Sequence, residues 1–181
     1  MTKNWGDWFV EAIASLEDDL NYILELRRVR ELWLQGELYL KSSDEQCLSL
    51  NERNILLGEV DFVSKPNDAV KMVADLKIGG RGYEPKILNG SGLPESLTSK
   101  TEFTLDDMDV YKKSEGSIFK DFCRLRDIKL DCQKYMILVI PKLVEPDRLG
   151  ELLESAKFPG KEYSRKLQWF DIRVFHLNDG L

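Results

Sequence analysis

Histidine is almost missing from this chain: His176 is the single one in 181 residues. Chemistry that needs two imidazoles, whether a paired-histidine metal site or paired acid/base catalysis, is excluded. A Ser-His-Asp arrangement stays formally open, but no Gly-x-Ser-x-Gly turn accompanies it, and His176 reads as a structural position on a last strand. Cysteine is scarce too. Cys47, Cys123 and Cys132 are odd in number and no two are spaced as Cys-x-x-Cys. That argues against a disulfide framework or a zinc site, and for small buried or half-buried thiols in a reducing compartment. No apolar run approaches the roughly 20 residues needed to cross a bilayer. Met1 to Trp8 lacks the basic-then-apolar layout of a signal peptide. The expectation is a cytoplasmic protein with no membrane partner. Basic charge is in deficit as well, at a formal net charge of −6 and a pI of about 5.0. A protein that coats nucleic acid is usually basic. An enzyme acting on nucleic acid is still compatible with this balance, because a divalent-metal site itself concentrates carboxylates.

What the chain has is an ordinary globular balance, 43% hydrophobic and 32% charged, over a length that suits one domain with one core. Phe9, Ile13, Leu16, Leu20, Ile23 and Leu24 recur at helical spacing, and Val29, Leu32 and Trp33 continue the pattern. Trp8 to about Lys41 therefore reads as helical, with a kink or break allowed and Asp7 as its N-cap. Ile55 to Val63 and Ala69 to Ile78 read as strands, joined by the turn-like Ser64-Lys65-Pro66-Asn67-Asp68. A strand around Cys47 to Leu50 is a weak signal. Residues 79–104 are rich in Gly, Pro, Ser and Asn and read as a loop insertion. A helix is expected over about Leu105 to Leu130, with Thr104 and Asp107 as a capping pair. Tyr135 to Ile140 is purely apolar, as a strand buried on both faces would be. A late helix at Pro146 to Lys157 and a last strand at Leu167 to Leu177 complete the order α-β-β-(β)-α-β-α-β. Such alternation indicates a single α/β domain with a central mixed sheet flanked by helices.

Chemistry concentrates on the two adjacent strands. Side chains alternate faces along a strand. Val70, Met72, Ala74, Leu76 and Ile78 then share an apolar face, while Lys71, Val73, Asp75 and Lys77 share the other. On the preceding strand Glu59, Asp61 and Val63 share one face. A hairpin through Ser64 to Asp68 would bring Glu59 and Asp61 near Asp75 and Lys77. Carboxylates so close raise each other's pKa unless a cation compensates. Lys77 supplies one positive charge, and a divalent cation would supply the rest. Only oxygen ligands are on offer, so that cation would be Mg²⁺ or Mn²⁺. Lys77 would either help deprotonate a water or stay charged and stabilise a transition state. The same residues would also serve as a solvated helix residue, a turn residue and a surface ion pair worth under about 1 kcal/mol.

Glu37 lies in Trp33-Leu34-Gln35-Gly36-Glu37-Leu38-Tyr39-Leu40, Asp61 in Gly58-Glu59-Val60-Asp61-Phe62-Val63, and Asp75-Leu76-Lys77 in Val73-Ala74-Asp75-Leu76-Lys77-Ile78. An acidic residue on a first helix, an Asp on one strand and Asp-x-Lys on the next resembles the PD-(D/E)XK nuclease superfamily. Val60 stands where the family name has proline. The resemblance covers about Arg30 to Pro141. It implies a restriction-endonuclease-like core and phosphodiester hydrolysis with Mg²⁺. Glu37, Asp61 and Asp75 would be metal ligands, with Glu59 beside them, and Lys77 would act on the water or the scissile phosphate.

Other features are less specific. Lys113, Lys120 and Arg124 share one helix face and, with Arg81, are the candidate phosphate contacts. Trp33, Tyr39, Trp169 and Phe170 read as core or sheet-packing residues. Two functions follow as expectations. One is a metal-dependent nuclease that hydrolyses phosphodiester bonds in DNA, with a homodimer open. The other is a non-catalytic interaction or regulatory protein, immunity-like, on the same scaffold, with a protein partner.

Overall fold

The centre of the fold is the strand with the fewest polar residues. In the computed structural model, which describes residues 4–26, 29–54, 58–78, 100–109, 118–142 and 153–177, β4 (Gln133–Pro141) is buried without interruption from Lys134 to Ile140. A strand can be that apolar only when both of its faces are covered. β4 sits inside a six-stranded sheet, between β3 (Met72–Ile78) and β6 (Phe170–Leu177). With β1 (Leu48–Asn54), β2 (Gly58–Ser64) and β5 (Lys161–Lys166), the order is β1-β2-β3-β4-β6-β5. Only β3 and β4 run parallel; every other pair is antiparallel. The chain is thus α/β, a mixed sheet with helices on both sides, and one compact body.

One face of the sheet carries Phe62, Met72, Ala74, Leu76, Ile137, Ile172 and Val174 into a core shared with the N-terminal helices. The opposite face carries Val63, Val73, Met136, Leu138 and Phe175 into a second core with Phe119 and Phe122. The apolar face expected for Met72, Ala74 and Leu76 is therefore present. The face that carries Asp75 and Lys77 is not open to water, because the helices of the β3–β4 crossover lie over it.

The single N-terminal helix expected from periodicity is three: α1 (Trp5–Ala14), α2 (Glu17–Ile23) and α3 (Arg30–Lys41). Asn4 rather than Asp7 caps α1, its side chain accepting from Gly6 N at 3.0 Å. Asn is a strong N-cap, and Asp7 falls inside the first turn, where its charge favours the helix dipole. Within the helix expected over Leu105 to Leu130, the crossover is helical in α4 (Leu105–Asp109) and α5 (Ile118–Asp127); residues 110–117 lie outside the described ones. Thr104 and Asp107 do form a reciprocal cap at α4. The hairpin turn between β2 and β3 is the expected one, with Asn67 and Asp68 left-handed at φ 55° and 60°. Asx residues tolerate that region better than most. Most of the 79–104 segment and of the expected helix at Pro146–Lys157 also lies outside the described residues; 153–155 are helical. No described helix is long and apolar enough to cross a membrane.

Candidate functional site

The site is made where two strands part. The β2–β3 ladder pairs Ser64 with Met72, Val63 with Val73 and Phe62 with Ala74, and stops there. The next residues across the gap are Asp61 and Asp75. Backbone groups freed by such a split need other partners, and carboxylates supply them. Leu76 N donates to Asp61 Oδ2 at 2.7 Å. Ile78 N, two residues on and pointing the same way, donates to Glu31 Oε1 at 3.1 Å. Asp61 N donates to Asp75 Oδ1 at 3.3 Å. Three carboxylates therefore converge on the fork.

From the crossover side, α5 closes the cluster. Arg124 donates to Asp75 Oδ2 through Nε at 3.1 Å and lies 2.9 Å from it through Nη2. Its Nη2 is also 3.1 Å from Asp121 Oδ1, one turn earlier. Lys77 Nζ stands 3.3 Å from Asp121 Oδ2. Asp75 is 1% exposed, so this is a buried network and not the surface pair that the sequence also allowed. Among the described residues, Glu31, Asp61, Asp75 and Asp121 meet Lys77 and Arg124, four carboxyl groups against two cations.

Burial, the largest influence on Asp75, pushes its pKa up to about 7; Arg124 opposes the rise, and Asp121 and Asp61 add to it. Burial likewise raises Asp61, partly offset by the Leu76 N–H and by Lys77. Burial alone pulls Lys77 down, but Asp121, Glu31 and Asp61 outweigh it, and its pKa lies above that of an ordinary lysine. Of the two roles open to Lys77, a charged stabiliser fits this environment and a neutral base does not.

No family model, no curated protein and no solved structure matches the chain.

Of the residues singled out in the sequence, Asp61, Asp75 and Lys77 come together. The helical carboxylate that joins them is Glu31 and not Glu37. On α3, Glu31 shares the inward side with the buried Leu34 and Leu38. Glu37 is six residues further on, about 120° away around the axis, and takes no part in the hydrogen bonds and ion pairs described for the cluster. Glu59 also stays apart. It is directly opposite Arg53 across β1–β2, and the two form an exposed pair at 3.4 Å. Arg124 belongs to the cluster, but as the partner of Asp75 and Asp121 instead of an open phosphate contact. Lys120 is half-buried on α5, and Lys113 and Arg81 lie outside the described residues.

Asp121 is a member of the cluster that neither strand alternation nor the family resemblance singles out. Its signal was present: Asp121 and Arg124 stand three residues apart on a helix whose Ile118, Phe119, Phe122 and Leu125 are apolar. A charged pair flanking a buried stripe needs a counterpart on the sheet. Among the aromatic residues, Phe170 is buried as expected, whereas Tyr39 is 48% and Trp169 38% exposed. His176 stacks on Tyr135 with centroids 4.6 Å apart, a packing role. Cys123 and Cys132 are buried, but Cys47 is exposed.

The donor set suits a hard cation. All the acidic atoms are oxygens, the carboxyl groups outnumber the cations, and Asp121 Oδ2 is buried with no hydrogen bond, its ammonium neighbour being misaligned. Among the described residues, however, no three His, Cys, Asp or Glu side chains form a ready metal cage. Both oxygens of Asp75 are engaged, so a cation there would share the carboxylate with Arg124.

The raised Asp75 has a measurable consequence. A carboxyl whose folded pKa exceeds its unfolded value, near 4, contributes stability that is complete below the unfolded value. That contribution is lost as pH rises through the folded value. For Asp75 the window runs from about pH 4 to about pH 7. Asp75→Asn should flatten the stability profile in that window, as read by urea unfolding at half-unit pH steps. A variant as steep as the wild type would place the titration elsewhere.

Proposed function

We propose that the chain is a divalent-metal-dependent phosphodiester hydrolase, a nuclease acting on DNA, with a restriction-endonuclease-like core. The observation that supports this reading is the fork: an antiparallel pair that opens so that Asp61, Asp75 and Lys77, with Glu31 from the first helical layer, face one another. Asp61 and Asp75 would hold the cation. When bound, Mg²⁺ or Mn²⁺ supplies charge to the scissile phosphate and acidifies a water. Lys77, held charged by Asp121, would neutralise the developing negative charge on the phosphate oxygens. Arg124 and the Asp61 amide fix the rotamer of Asp75, and the Leu76 and Ile78 amides fix those of Asp61 and Glu31. Such positioning is what a metal-ligand shell requires.

The second reading, a non-catalytic interaction or regulatory protein on the same scaffold, is favoured by one feature. Arg124 already neutralises Asp75, so the network is self-sufficient as a structural element.

A panel of linear, supercoiled, single-stranded and branched DNA, plus RNA, separates the two readings. The first expects cleavage in Mg²⁺ or Mn²⁺ and none in EDTA or Ca²⁺. Within that assay Glu31→Gln should lower the rate about 10-fold or more, the usual scale for a group that orders a metal site. Glu37→Gln should stay within about 2-fold. The reverse ranking would return the helical role to Glu37. No cleavage of any substrate, with a protein partner whose binding survives both changes, would establish the second reading.

A further inference from the structure

α3 is apolar on two sides. Its inner side packs Leu34 and Leu38 into the core. Its outer side carries Leu32 at 62%, Leu40 at 75%, Tyr39 at 48% and, just before the helix, Val29 at 45% exposure. At 3.6 residues per turn these four, with the half-buried Trp33, fall within about 60° of Gly36 on either side. A helix that is apolar on both sides is normally covered on both.

The segment Leu32-Trp33-Leu34-Gln35-Gly36-Glu37-Leu38-Tyr39-Leu40 reads almost the same in both directions about Gly36. Leu32 mirrors Leu40, Trp33 mirrors Tyr39 and Leu34 mirrors Leu38. A two-fold axis at Gly36 therefore sets Leu32 opposite a second Leu40 and Trp33 opposite a second Tyr39, apolar against apolar along the whole stripe. A Cβ placed on Gly36 would meet nothing within 4 Å, so the chain's own packing does not require glycine there. A second helix crossing at that point would, because the missing side chain lets two backbones approach.

We propose that the outer side of α3 is the interface of a two-fold homodimer, in which α3 crosses the partner's α3 at Gly36 in antiparallel fashion. Leu32 then packs on the partner's Leu40, and Trp33 on the partner's Tyr39. The four exposed side chains leave on the order of 400 Å² of apolar surface in water. That approaches the apolar share, roughly 60%, of the ~800 Å² each partner of a stable interface buries. The proposal does not depend on the hydrolase reading, since Glu31 and the fork lie on the inner side of the helix.

Sedimentation equilibrium of the full chain tests it. The wild type should be a dimer at micromolar concentration. Leu32→Glu and Leu40→Lys should each raise the dissociation constant at least about 30-fold, as loss of a central anchor does. The double variant L32E/L40K should recover most of the affinity, because the antiparallel register sets each new carboxylate against the partner's new ammonium. Gly36→Leu should raise the constant at least about 10-fold while circular dichroism keeps its helical signal, since leucine is a better helix former than glycine. A wild type that stays monomeric at about 100 μM overturns the proposal and gives the stripe to a different protein or a lipid surface. Failure of the double variant to recover overturns the antiparallel register.

Discussion

Lys77→Ala should lower Mg²⁺-dependent cleavage by about 10²-fold or more, the scale for losing a positioned charge at a phosphoryl centre. The protein should remain folded, though not untouched. The sequence pattern alone places Lys77 away from the apolar Met72, Ala74 and Leu76 and suggests no effect on folding. In the structure its ammonium stands 3.3 Å from a carboxylate oxygen of Asp121 whose side chain is 6% exposed. Arg124 stays on the other oxygen. Removing one of two cations from a buried carboxylate costs on the order of 1–3 kcal/mol. The expected result is therefore a lowered but cooperative unfolding transition together with a large loss of rate. Rate loss without any change in stability would mean that Lys77 and Asp121 are not paired in solution. Cleavage that persists unchanged would mean a contaminant or a different site. Lys77→Arg keeps the charge and should hold stability closer to the wild type than Lys77→Ala. Its planar head changes the geometry, so the rate should remain well below wild type.

Much of this site was legible because it rests on strand alternation. The period of two put Asp75 and Lys77 on one face, and the turn residues Pro66, Asn67 and Asp68 fixed the hairpin that brings Asp61 beside them. Three things were not legible. The first was phase on a helix. Choosing between Glu31 and Glu37 needs the face that meets the sheet, and α3 is apolar on two sides, so periodicity did not single out the inner one. The second was the covering of the far face. Nothing in Val73, Asp75 and Lys77 says that a helix some 40 residues later lies over them, so a buried four-carboxylate network looked like a surface. The third was β5, Lys161–Lys166, in which five of six residues are exposed. An edge strand bearing Lys161, Glu162, Arg165 and Lys166 around Tyr163 and Ser164 lacks the apolar signal by which strands are recognised, and that same charge guards the edge against pairing with other chains. Its register comes from pairing with β6, where Glu162 meets Phe175 and Ser164 meets Arg173.

Arg124→Leu should destabilise the protein by about 3–5 kcal/mol at pH 8.5, the range for breaking a buried ion pair by removing one partner. Two nitrogens of Arg124 serve one oxygen of Asp75, and without them the carboxylate keeps, among the described residues, the Asp61 N–H. Leucine fills part of the same volume, so the loss is electrostatic and not a cavity. The cost should depend on pH with a definite sign. Arg124 opposes the rise of the Asp75 pKa, and even so it stands at about 7; its removal moves the value higher. Stability carried by the protonated form is then kept to a higher pH in the variant and lost only beyond it. Near pH 5 Asp75 is protonated in both proteins, so the penalty should shrink to what the loss from Asp121 contributes. Between pH 5 and 8.5 it should grow steadily, as read by urea unfolding. A penalty independent of pH would mean that Asp75 does not hold a proton in this range. The variant also separates the two functional readings without any substrate. Arg124 occupies the oxygen that a cation would share, so a carboxylate pair built for Mn²⁺ should be stabilised by millimolar Mn²⁺ more in Arg124→Leu than in the wild type, through binding to the folded state alone. A purely structural ion network predicts no such rescue, and equal thermal shifts in the two proteins would remove the metal from Asp61 and Asp75.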